Sequence, residues 1–151
     1  WSLSEIEVLV EYVDSGGFLV VTNSAHRLKY SNRVLDPNED WPDMNALSGR
    51  FGVSYASAPV NSAEARLVWD DPIAVGKTSL QLAADNGVAL DLTRGRLLAD
   101  ADGKPVMVLV DHGSAGGQVL VLADVGILGS AVAEPANLFF WQNLARQAKS
   151  P

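Results

Sequence analysis

The chain has 151 residues, 48% hydrophobic, 19% charged and 7% aromatic, a composition that suits one domain with a single sizeable core and excludes disordered and collagen-like chains. Eleven basic residues against 18 acidic ones give a formal net charge of −7, which sets the domain as a whole against nucleic acid and anionic membranes as partners. With no cysteine and two histidines, disulfides, thiolate chemistry and an ordinary zinc site are excluded.

No apolar run approaches the roughly 18 to 20 residues that span a bilayer, so this segment does not insert directly into a membrane. The chain begins at Trp1 rather than methionine, which points to a processed protein or an excised domain. Residues 1–151 read as one such domain. Its expected partners are the other domains or subunits of a parent protein.

The first element is a helix. Ser4 is placed to cap it with Glu7 closing a capping box, and Leu3 is placed to staple onto Val8. Ile6, Leu9, Val10 and Val13 repeat on one helical face, and Ser15-Gly16-Gly17 supplies the stop. Phe18-Leu19-Val20-Val21 follows, apolar on both faces like a strand of a covered parallel sheet. Residues 22–42 are polar, long and without periodicity, as functional loops are.

Asp40 or Asp43 is expected to cap a short helix through Met44, Leu47 and Phe51, ended by Gly52. The middle of the chain gives short strands such as Ala65 to Trp69 and Leu80 to Ala83. Leu97 to Ala99 and Val106 to Val110 flank Asp102-Gly103, a hairpin turn. A second tight connection returns the chain into Gln118 to Ala123. Pro135 opens a last helix with Leu138, Trp141, Ala145 and Ala148 on one face, extended by Phe140 and Leu144.

Three blocks, LSEIEVLVEYVDSGGFLVVTNS, GGQVLVLADVGIL and NLFFWQNLARQ, together resemble the class I glutamine-amidotransferase-like superfamily, and its non-catalytic branch in particular. That branch comprises transport-auxiliary and gliding-related proteins and uncharacterised bacterial domains. The resemblance implies a three-layer α/β sandwich with a mixed, largely parallel, flavodoxin-like sheet. It also implies an extracytoplasmic domain of a membrane-anchored bacterial protein, with a first strand upstream of Trp1. In catalytic members a cysteine occupies a sharp elbow after a central strand, and a later strand delivers histidine and an acid. Here Val21-Thr22-Asn23-Ser24-Ala25-His26 stands at the elbow without a cysteine, and the later strand delivers Asp124 alone. The implied scaffold therefore lacks glutaminase activity.

Strands of open α/β sheets expose their carboxyl ends to ligands. Asn23, Ser24, His26 and Asp124 are thus the expected ligand-binding crevice, in a non-catalytic interaction or ligand-sensing domain that carries no cofactor. The alternative is a hydrolase using Ser24 with His26 or His112 and Asp124, although no Gly-x-Ser-x-Gly elbow surrounds Ser24. Asp36, Asn38 and Asp40, with Asp43, alternate as calcium-loop oxygens do. Trp41 and Leu47 stand where an EF-hand needs glycine and glutamate, so only an irregular calcium site remains. Gly76-Lys77-Thr78 imitates the tail of a phosphate loop, but Asp71 occupies the position of its first glycine. His26, Arg27, Lys29 and Arg33 form the one basic concentration and mark a partner or anion contact in the long loop.

Overall fold

The computed structural model describes residues 1–23, 41–68, 71–76, 78–82, 87–128 and 134–147, with backbone alone at 41–43 and 57. Among these residues the order is α1 (Leu3–Asp14), β1 (Phe18–Thr22), α2 (Trp41–Ser48), β2 (Val53–Val60), β3 (Glu64–Leu67), β4 (Ser79–Gln81), β5 (Gly87–Leu92), β6 (Arg96–Ala101), β7 (Lys104–His112), β8 (Gly117–Leu122) and α3 (Pro135–Gln147).

α1 is capped two residues before the expected position. Ser2 is the N-cap: its Oγ accepts the Glu5 N–H at 3.3 Å while the Glu5 carboxylate accepts the Ser2 N–H at 2.7 Å. Both Ser2/Glu5 and Ser4/Glu7 fit a capping box, and the earlier register adds half a turn of helix. It leaves Leu3 and Val8 in solvent, 78% and 64% exposed, instead of stapled together. The helical face is as the periodicity predicts, with Ile6 and Val13 buried and Leu9 and Val10 half-buried. So is the stop. Gly16 at φ 98° lets its N–H reach the Val13 carbonyl at 2.9 Å and the Gly17 N–H reach that of Tyr12 at 3.0 Å, the Schellman pattern.

The sheet overturns the expected fold class. Six strands run in the order β1-β8-β7-β6-β3-β4, and only β1 and β8 are parallel, from Phe18 opposite Gln118 to Thr22 opposite Leu122. Every other pairing in this sheet is antiparallel. β2 and β5 form a separate antiparallel ribbon, which packs against β7. The outcome is a curled, mostly antiparallel half-barrel rather than a three-layer, flavodoxin-like, largely parallel sandwich.

Connection length is the physical reason, because parallel neighbours need a crossover of about a dozen residues or more. Asp102 and Gly103, both at positive φ (53° and 73°), close β6 directly onto β7 as a two-residue hairpin. Residues 113–116 do the same for β7 and β8, and residues 61–63 are too few to carry a crossover from β2 to β3. β1, with most of the chain between it and β8, pairs in parallel, whereas residues 68–95 are long enough for a crossover from β3 to β6 and that pair is nonetheless antiparallel. Val106 to Val110 and Val119 to Ala123 are all buried, since β5 packs on β7 and α1 on β8. A run apolar on both faces therefore marks cover, not strand direction.

α2 and the 3₁₀ turn after it stop at Gly52, φ 80°, as expected. Asp43 lies inside α2 rather than ahead of it. α3 begins at Pro135 but is rotated from its expected face. Asn137, Phe140, Asn143 and Leu144 are buried, whereas Leu138 is 49% exposed and Ala145 is exposed; Ala148 lies outside the described residues. The rotation is set by two asparagines. Asn137 Oδ1 accepts the Gln81 N–H and its Nδ2 donates to the Gln81 carbonyl, both at 2.8 Å, so the side-chain amide acts as a strand partner along β4. Asn143 Nδ2 donates to the carbonyls of Ile73 and Val75. Asn45 of α2 repeats the device on β2, accepting the Tyr55 N–H at 2.7 Å and donating to its carbonyl at 3.1 Å. No helix among the described residues is long and apolar enough to cross a membrane.

Candidate functional site

The parallel pair β1 and β8 ends at Thr22 and Leu122, so the next residues of both strands emerge side by side. The Val125 N–H donates to the Asn23 carbonyl at 3.0 Å, which ties the two exits together. Asn23 and Asp124 are thus neighbours, as the sequence led one to expect. Ser24 and His26, the other two residues of the expected crevice, lie outside the described residues. So do Asp36, Asn38 and Asp40 of the calcium reading, the basic residues Arg27, Lys29 and Arg33, and Lys77.

Asp124 is fully buried at 0% exposure. Its Oδ1 accepts the Gly126 N–H at 2.7 Å and its carbonyl accepts from Ile127, so the carboxylate caps the 3₁₀ turn Val125–Leu128. Beside it the Val88 N–H donates to the Ala123 carbonyl at 2.9 Å, and the Tyr55 hydroxyl donates to the Leu122 carbonyl at 3.2 Å. Burial pushes the Tyr55 phenol well above its ordinary value, so it keeps the proton it donates to Leu122. The exit is a hydrogen-bonded seam between β1, β8, β5 and β2.

His112 stands elsewhere. It pairs with Gly117 at the start of β8, whereas Asp124 follows the end of that strand, roughly 20 Å away at the rise of a β-strand. Its Nε2 lies 3.3 Å from Asp14 Oδ1, its ring meets Phe51 edge to face at 5.0 Å, and its Nδ1 is buried without a hydrogen-bond partner. His112 and Asp124 are not brought together. At this end the backbones of α1 and β8 touch: a Cβ on Gly117 would sit 1.8 Å from the Val13 carbonyl oxygen.

Asp71, which breaks the phosphate-loop pattern, is buried and caps its own 3₁₀ turn by accepting the Ile73 N–H at 3.0 Å. Its second oxygen holds the Arg96 guanidinium. Asp71 is thus an anion already matched by a cation.

An open groove of about 680 Å³ lies between β3, β4 and β6, lined by Ser62, Glu64, Arg66, Ser79, Asp100 and Asp102 among others. Arg66 spans it, with Nε at 3.2 Å and Nη2 at 2.9 Å from Asp100 Oδ2. The sequence signal was present in the alternation of β3, where Glu64 and Arg66 are exposed and Ala65 and Leu67 buried. Among the described residues no group of three or more His, Asp or Glu side chains is arranged to hold a metal ion.

No protein-family model matches the chain, and no curated protein matches it. Solved structures do. The chain is similar to the mmIFT52 N-terminal domain (TM-score 0.74, 14% identity) over 100% of its own length and 73% of that chain. It is also similar to the cytoplasmic protein STM1381 from Salmonella typhimurium LT2 (TM-score 0.63, 17% identity), over 97% of this chain and 61% of that one. A beta-galactosidase from Rahnella sp. R3 matches 97% of the chain at TM-score 0.59 and 17% identity, but with only 21% of its own length. At these identities the likeness establishes the fold alone. The resemblance to the amidotransferase-like superfamily is overturned: the matched structures named here are not amidotransferases, and the sheet is mostly antiparallel.

Proposed function

We propose that the chain is a non-catalytic interaction domain of a larger protein, whose business is to dock other domains or subunits of its parent. The observation that supports this most is Asp124. The acid at the strand exit is wholly buried and one of its oxygens accepts the N–H of Gly126, so it holds a turn and is not open to a ligand. Similar folds are found as a minor part of long chains, such as the 21% of the Rahnella enzyme, in keeping with a module that serves a larger protein.

The test is hydrolysis of p-nitrophenyl acetate by the purified domain. Wild type, Ser24→Ala and Asp124→Asn are expected to match the buffer background alike. Turnover above background that disappears in Ser24→Ala would replace this reading with the hydrolase.

A further inference from the structure

The two faces of β1 are not alike. The Gly17 carbonyl accepts from Gln118 and the Asn23 carbonyl from Val125. Since N–H and C=O groups alternate sides along a strand, residues 17, 19, 21 and 23 face β8, and Phe18, Val20 and Thr22 present theirs to the outer edge. The Tyr12 hydroxyl reaches the Phe18 carbonyl at 3.4 Å. Among the described residues no strand pairs with this edge. The edge is also undefended, because Phe-Leu-Val-Val-Thr carries no lysine, proline or bulge to discourage a new neighbour.

Tyr12 places one flank of α1 along the same edge. Residues 5, 8 and 12 fall in one stripe of α1, and Val8 and Tyr12 on it are 64% and 50% exposed. Beside them a hollow of about 360 Å³ is lined by Trp1, Ser4, Glu5, Val8 and Leu9. The charge along the stripe has one sign. α1 has Glu5, Glu7, Glu11 and Asp14 and no lysine or arginine. Arg50 pairs with Glu7 and His112 meets Asp14; the Trp1 ammonium acts on Glu5, and among the described residues no lysine or arginine side chain pairs with Glu5 or Glu11.

From this surface we infer the partner class of the interaction domain, resting on the proposal above: β1 and the outer flank of α1 receive an extended segment of another chain that combines apolar residues with lysine or arginine. The segment adds a strand to β1 through the backbone of Val20 and Thr22. Its apolar side chains cover Val8 and Tyr12, and its cations face Glu5 and Glu11. A second copy is the poorer occupant. Pairing β1 with itself about a two-fold axis lays two acidic α1 helices side by side, each in a chain of net charge −7.

The probe is the synthetic ten-residue peptide Val-Thr-Lys-Thr-Val-Thr-Lys-Thr-Val-Thr, whose valines and lysines share one face of the added strand, followed by fluorescence anisotropy. Binding is expected to weaken at least tenfold when glutamate replaces lysine, and to be lost when alternate amides are N-methylated. Glu11→Lys is expected to narrow the preference for the lysine peptide, and Val20→Pro, which deletes an outward N–H, to abolish binding with α1 helicity retained. Equal binding of the N-methylated peptide, or no binding at all, overturns strand addition; because the N-methyl comparison is made on the peptide, it holds even if Val20→Pro does not fold. Concentration-dependent dimers by light scattering, lost in Val20→Pro, would show a second copy on the edge and overturn the basic partner. None of these outcomes alters the hydrolysis test, so the two proposals fail separately.

Discussion

The six-stranded sheet ends in two edges that are finished in opposite ways. At β4, Asn137 from α3 bonds both backbone groups of Gln81, and a helix takes the place of a seventh strand. At β1, the corresponding groups of Val20 and Thr22 meet no strand among the described residues. α1 contributes only the Tyr12 hydroxyl, to a single carbonyl. Unpaired strand groups are either covered by the chain itself or left as a template for another chain. One edge is covered by a helix, and the other is the edge that we propose receives the partner segment.

The largest effect expected from disturbing this arrangement is on the open side. Gly117→Val drives a side chain into the Val13 carbonyl and is expected to displace α1, at a cost above about 3 kcal/mol by chemical denaturation. Next comes the sealed edge. Asn137→Leu strips two partners from Gln81 and is expected to cost about 2 kcal/mol, with new self-association by light scattering because a second edge has opened. Without any substitution, amide hydrogen exchange measures the difference directly. Val20 is expected to exchange far faster than its neighbours Leu19 and Val21, and Gln81 to be protected. Equal protection of Val20 and Gln81 would erase the distinction.

A smaller cost attaches to the seam beneath both edges. Tyr55→Phe leaves the Leu122 carbonyl without its hydroxyl donor and is expected to cost about 1 kcal/mol at neutral pH. Because burial raises the phenol, the folded state holds that proton more tightly than the unfolded chain. Its contribution is complete below the ordinary tyrosine value near 10 and is lost as pH rises beyond it. The wild type is therefore expected to show an alkaline loss of thermal stability that Tyr55→Phe lacks.

The smallest effect belongs to the helix beside the open edge. The Ser2 N–H, and then the Ser2 hydroxyl, hold the Glu5 carboxyl below its usual value. That contribution is present above the ordinary glutamate value near 4.3 and disappears as pH falls through the lower folded value. Circular dichroism is expected to show slight fraying of α1 on acidification, absent in Glu5→Gln.

Much of the candidate site could be placed from the sequence, but not its state. That Asn23 and Asp124 each follow a strand was legible in apolar runs that stop on polar residues, whereas their shared exit was expected from an α/β scaffold that the structure does not have. That Asp124 is buried and caps its own turn did not follow, since a polar residue at a strand end reads the same whether it faces solvent or backbone. Asn45, Asn137 and Asn143 went unnoticed for a related reason. An asparagine on a helix shows its purpose only when the strand or turn it serves, 10 to 70 residues away, is in place.

By itself the sequence determined what lies within a few residues: a helix capped at one end and closed by Gly16-Gly17 at the other, the Asp102-Gly103 hairpin, the apolar cores of β7 and β8, and Pro135 at the head of α3. Caps, positive φ and helical period are local hydrogen-bond and steric facts. Only the tertiary structure decided where β1, β3 and β4 join the β6-β7-β8 hairpins, which way they run, and which edge is sealed. Those choices depend on groups far apart along the chain, and an apolar strand has the same composition whichever way its partner runs.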